Sequence, residues 1–534
     1  MIRNQLASWM AGLLALAAGG AAAHGDQPRT GTLGLGTVQF ANSCSPAVQE
    51  KLLRGIAMLH SFWFSAAEET FQQVADEDGT CVLAAWGFAS ILMANPLDGA
   101  GPPAKQAPRA QAAIDKGRQM GGKTQRERDY LEAVAAYYED FASRPERARS
   151  AARAKAYETL AAKYPDDDEA QIFHALYVAS TQLQSDQTYT ASLKAAAILE
   201  RQFAKYPDHP GVAHYLIHTY DAPPIAHQGV SAAKRYAEIA PDAPHALHMP
   251  SHIFTRVGAW SESAATNRRA ADVALKGKEP DQALHAMDYM TYAYLQLGRD
   301  ADARKVYDEA LRVTGTTVRQ TAPYAVAAMQ ARYAVERGAW SEAATLEPLP
   351  LAKLYPFAEA NTYLARALGK ARSGNAAAAR ADLAQITQRR DALKEARNEY
   401  WATEVEVMQL AASGWIALAE GRAGQALADM RQAAELEDRN DKHLVTPGRI
   451  VPARELLGEM LLQLKRPAEA LKEFEDSQAR EPNRFRGLHG AALAAAQAGD
   501  RAKAKLYFGR LVELAAQGDA RPELGTARTW LAAN

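Results

Sequence analysis

From Pro46 to the C-terminus, apolar residues recur at three- and four-residue intervals, the spacing of a helix with one buried face. Short polar turns cut these runs, so the pattern predicts helix after helix with few strand formers between them. One run, GIAMLHSFWFSAAEETFQQVADEDGTC, reads as a complete helix pair. Gly55 and Ala67 let its two helices approach closely, and Phe71 fills the gap toward the next pair. In later pairs a glycine recurs before the second helix, at Gly258, Gly298, Gly338, Gly374, Gly421 and Gly499, and a small residue follows five positions on. Pro207 and Pro241 lie 34 residues apart, which sets the period in the middle of the chain. A fixed period of this size means a stack of like units, each burying its apolar face against the next. Two proline-bearing breaks, near Glu347 to Pro356 and near Thr446 to Pro452, are where the stack is expected to change direction.

At 534 residues the chain exceeds one compact core, in keeping with an array. Residues 1–23 read as a secretory signal, with Arg3, an apolar stretch from Met10 to Ala18, and a small-residue cleavage site at Ala21 to Ala23. Residues 24–45 are rich in Gly and Thr without periodicity and read as an extended lead-in. The helical array follows in two parts, 46–345 and 346–534. A periplasmic or secreted location is therefore expected, with no membrane span, because no later run approaches ~20 apolar residues. The two cysteines, Cys44 and Cys81, bracket one helix pair and are expected to join in that oxidising setting. A formal net charge of −1 gives no electrostatic reason to expect nucleic acid. Gly117 to Thr124 (GRQMGGKT) matches a phosphate-loop pattern. A helix rather than a strand precedes it, however, and Thr124 with Glu127 makes a capping box, so no nucleotide is expected.

The remaining chemistry is imidazole. Seven of the thirteen histidines fall between His209 and His252. His214 and His218 stand four apart on a helix, which puts their side chains on one face about 6 Å from each other. His248 and His252 repeat this 34 residues later, and His245 joins the same face. One such pair is usually structural; two in register point to a metal, and imidazole donors suit copper or zinc. His214, His218, His248 and His252 are the candidate ligands, with Asp221 as a ligand or outer hydrogen-bond acceptor. Pro250 complicates this: a helix restarting at Ser251 would turn His245 and His248 away from His252.

The blocks MLHSFWF, CVLAAWG, HYLIHTYD and APHALHMPSHIFTRVGAW resemble those of an exported bacterial tetratricopeptide-repeat family, over roughly Cys44 to Ala270. The resemblance implies an all-α fold, a right-handed solenoid of antiparallel helix pairs. In such repeats, positions 2, 5, 9 and 12 of the first helix line a concave groove. Taking Pro207 and Pro241 as position 32 places His245, His214, His248, His218, His252 and Asp221 there. The next repeat adds His285, Asp288 and Tyr292, and His60 faces the groove from its own repeat, whereas His174 falls at a packing position. Residues 46–345 would then carry a histidine-lined groove. Two functions follow from that expectation. One is a scaffold receiving a peptide or protein partner in the groove; a carboxylate-clamp ligand is disfavoured, since histidines occupy positions 5 and 9. The other is a copper- or zinc-dependent enzyme, with Asp221, Asp288 or Tyr292 in outer or acid–base roles. The family implies no particular reaction.

Overall fold

The computed structural model describes residues 34–317 and 319–534. The proposed signal segment, 1–23, and the start of the lead-in lie outside these residues. The described residues form α-helices joined by turns, loops and short 3-10 segments, with no strand among them. Helices adjacent in sequence pack on one another along the chain, giving a solenoid of helix pairs. The small-residue rule has a direct packing cause. Phe71 is fully buried between Gly55 and Gly87, and Phe474 between Gly458 and Gly490; a Cβ at Gly87 or Gly490 would run into the ring. The six glycines before second helices all have φ between +63° and +83°, the left-handed turn that reverses the chain between paired helices.

The lead-in is tied down. Leu35, Val38 and Phe40 are buried. The Thr37 amide donates to the Asp208 carbonyl (3.0 Å), and the Asp242 amide donates to the Gly34 carbonyl (3.2 Å). The lead-in thus stitches together the turns that follow Pro207 and Pro241. Cys44 and Cys81 form the expected disulfide, with Cα atoms 4.7 Å apart. The solenoid also curls until distant parts touch. Trp260 Nε1 donates to the Asn483 carbonyl (2.7 Å), and the Phe485 amide donates to Gln296 Oε1 (3.0 Å).

At the first proline-bearing break, the helix Trp340–Ala343 is only four residues long. The second break is a strap. Between the helices Ala423–Asp438 and Ala453–Gln463, residues 439–452 leave the helical path and run along the inner faces of earlier helices. Lys442 reaches Asp221 (3.1 Å). The Tyr289 hydroxyl lies 3.0 Å from the Thr446 carbonyl, and Arg332 donates to Thr446 Oγ1 (2.9 Å) and the Gly448 carbonyl (2.6 Å). A Cβ at Gly448 would meet the Tyr292 hydroxyl, so glycine is needed for this close approach. The open histidine-lined groove expected from the repeat register is therefore corrected: the chain's own strap occupies it.

Candidate metal centre

The first helix of each of three successive pairs supplies the imidazoles. Pro210–Thr219 carries His214 and His218. The next first helix is split at Pro250 into Pro244–His248 and Pro250–Arg256, which carry His245, His248 and His252. Pro280–Gln296 carries His285. The restart at Pro250 occurs, but it does not disperse the histidines as the sequence suggested. Met249 keeps helical backbone angles across the junction (φ −53°, ψ −37°), and His248 Nε2 and His252 Nε2 lie 3.0 Å apart. Five of the six rings are buried, and His218 alone is partly exposed. Ring centroids of His214 and His218 are 4.9 Å apart, those of His248 and His285 4.3 Å, and those of His218 and His252 5.6 Å.

Hydrogen bonds fix which nitrogen faces inward. His214 Nδ1 lies 2.6 Å from the His60 carbonyl, an acceptor only, so Nδ1 carries the proton. His252 Nδ1 donates likewise to the Asp221 carboxylate (2.8 Å). His248 Nδ1 meets Asn267 Oδ1 (2.7 Å), and the amide's orientation is set because its Nδ2 donates to the Ser263 carbonyl. In neutral rings these three partners leave lone pairs on Nε2 of His214, His248 and His252. Burial, followed by neighbouring imidazoles, pushes the pKa of His214, His218, His245, His248 and His285 well below the ordinary value. Burial also lowers that of His252, although Asp221 pulls it upward. The rings are neutral at pH 7, the form that binds metal.

Two consequences stand out. Nε2 of His248 and of His252, both lone-pair donors, face each other at 3.0 Å with no proton between them. Nε2 of His214, His218 and His245 and Nδ1 of His285 are buried without a hydrogen-bond partner. Each such atom costs roughly 1–3 kcal/mol unless something binds it. The backbone carbonyl, carboxylate and amide behind the rings match the outer hydrogen bonds that orient metal-ligating histidines.

Asp221 sits behind His252 as an outer acceptor. Burial alone would raise its pKa, but Lys442, Arg256 and His252 hold it well below the carboxylate range. Arg256 Nε donates to it at 2.7 Å, and burial pushes the Lys442 ammonium down to about 8. The register pointed to Asp221, whereas Lys442 and Arg256 gave no comparable sequence signal. Tyr289 and Asn267 were also missed, although Tyr289 lies one turn from His285 on the same helix.

Other expected residues are engaged elsewhere. Asp288 pairs with buried Arg332, and burial lifts its carboxyl to about 7. Tyr292 contacts Arg484 and Glu481 (3.2 Å). The His60 carbonyl stands behind His214, but its ring belongs to a second buried group rather than to an open groove. Its Nε2 donates to Glu169 (3.0 Å) and its Nδ1 accepts from the Tyr215 hydroxyl (2.9 Å). His209 Nε2 also donates to Glu169 (3.0 Å), while its Nδ1 caps the 210–219 helix at the Val212 amide. All four ring nitrogens are engaged, so no imidazole lone pair is left there for a cation. His174 is buried in packing, as its register position suggested.

No family model matches the chain, and no curated protein matches it. Solved structures with similarity over most of its length include the APC/C hetero-tetramer Cut9-Hcn1, at 13% identity and a TM-score of 0.30, covering 91% of this chain and 96% of that one. A human IFIT1 dimer with m7Gppp-AAAA is similar at 13% identity and a TM-score of 0.35, covering 82% and 90%. A monomeric IFIT1 mutant with Gppp-AAAA gives 12% identity and 0.36, covering 86% and 95%. At these scores the likenesses carry no argument about fold or function, and what the chain does rests on its own geometry.

Proposed function

We propose that this protein is an exported helical solenoid that binds a transition metal, copper or zinc, through His214, His218, His245, His248, His252 and His285. The observation that carries this reading is the set of buried, partnerless ring nitrogens converging from three helix pairs. Burial keeps the rings neutral, and His60, Asn267 and Asp221 direct lone pairs inward. The all-nitrogen donor set suits copper or zinc and disfavours calcium or magnesium. Peptide binding in the concave groove takes second place, because a partner there would have to displace the 439–452 strap and break the buried Lys442–Asp221 pair.

Elemental analysis of untagged protein equilibrated with copper or zinc tests the proposal beside a His214→Ala/His252→Ala variant. Stoichiometric metal in the parent, lost in a variant with unchanged circular dichroism, supports it. A parent that retains no metal after desalting removes it. The export reading is tested separately, by locating the mature chain in cell fractions and sequencing its N-terminus.

A further inference from the structure

The six imidazoles divide into two sets. In His214, His218 and His245 the potential ligand atoms all lie within 4.8 Å of one another, and the same holds for His248, His252 and His285. Two nitrogens sharing one ion at 2.0–2.1 Å can be no more than about 4 Å apart, so each set closes on an ion with ring shifts of under about 1 Å. The sets touch along an edge, with His218 against His252 (5.6 Å between centroids) and His245 against His248 (6.0 Å). Each set draws on two helix pairs: His245 crosses to the first set and His285 to the second. The same arrangement thus occurs twice side by side, two of its histidines repeating at 34 residues and the third, His245 to His285, at 40.

We propose that the protein holds a dinuclear copper centre, one ion in each histidine triad, with a small oxygen-donor ligand bridging them. This rests on the metal-binding reading above and deepens it. Three imidazoles leave a copper ion with an open position, and neutral donors leave its charge uncompensated, which favours a bridging hydroxide. A cleft walled by Asp221, Lys442, Leu444 and Tyr189 reaches partly exposed His218. Tyr289, whose hydroxyl is 3.4 Å from both His252 ring nitrogens, closes the opposite side with its oxygen bonded to the strap.

The test loads full-length protein with Cu(II) alone, removes excess metal, and reads copper per chain together with the electron paramagnetic resonance signal. Two coppers per chain with a signal far below two spins, from coupling between adjacent ions, is the expected result. His285→Ala should then bind one copper per chain and show a full one-spin signal, and His245→Ala should do the same from the other triad. Circular dichroism identifies any variant that fails to fold. In that case His285→Gln, close in size and still polar, replaces it with the same expectation. One copper per chain in the parent, or two uncoupled spins, overturns the dinuclear centre and leaves a metal protein. No retained copper or zinc overturns both readings. A His285→Ala protein that still holds two coppers also overturns the assignment.

Discussion

At the scale of single residues, the contrast between the two buried histidine groups decides where a metal can bind. Around Glu169, every nitrogen of His60 and His209 is already satisfied. Glu169→Gln should therefore leave metal content unchanged while lowering stability by about 1–3 kcal/mol, read by urea unfolding, because an amide replaces the acceptor of two N–H groups. Loss of metal in that variant would contradict the separation of the two groups. In the six-histidine cluster the reverse holds, since Asn267 accepts from His248 Nδ1 and so presents its Nε2 to the cluster. Asn267→Leu should keep the fold and weaken metal affinity about 10–100-fold in a competition titration, the usual effect of removing an outer hydrogen bond. Unchanged affinity would mean that His248 is not a ligand.

At the scale of elements, the strap 439–452 is the unexpected feature, and its anchors can be tested one by one. Lys442→Met leaves Asp221 with Arg256 but removes a buried partner, a change that costs about 3–5 kcal/mol in comparable buried pairs. Limited proteolysis should then cut within 439–452 faster than in the parent; an equal rate would show that the pair does not hold the strap. His443 gives the strap a pH dependence. Its Nε2 donates to the Asp98 carbonyl (3.1 Å), its Nδ1 accepts from the Val445 amide (3.2 Å), and burial lowers its pKa to about 4. Because the folded value lies below the unfolded one of about 6.5, this contribution is complete above pH 6.5 and is lost as pH falls toward 4. Amide exchange in 443–446, corrected for intrinsic rates, should lose protection across that window, and constant protection would contradict it. Little of the strap was legible in the sequence. The prolines at 447 and 452 showed a break in the helical pattern, but nothing local showed that Lys442, Thr446 and Gly448 would find partners more than a hundred residues earlier.

At the scale of the whole molecule, the periodic features were legible and the closure was not. Gly258 to Gly499 mark the turns because the left-handed conformation there selects glycine, and Phe71 marks the gap between pairs because two glycines admit it. The repeat register also placed His214, His218, His245, His248, His252 and His285 near one another, since a stack of equal units turns equal positions to one side. It brought His60 to the cluster only through its backbone carbonyl behind His214; the ring turns from the groove, because its contacts are Glu169 and Tyr215 from later pairs. The lead-in adds a constraint at this scale. The Cys44–Cys81 bond fastens its end to the first helix pair, and removing it with Cys44→Ser/Cys81→Ser should lower stability by about 2–5 kcal/mol in denaturant unfolding. A change below about 0.5 kcal/mol would show that the buried lead-in holds without it.

The central claim is that imidazole nitrogens from three helix pairs share bound metal, and X-ray absorption at the copper edge of the loaded protein tests it most directly. The account predicts a first shell of nitrogen or oxygen scatterers at about 2.0 Å, no sulfur, and the outer-shell pattern of about three imidazoles per ion. A shell containing sulfur, one without imidazole scattering, or a protein that keeps no metal to measure would contradict it.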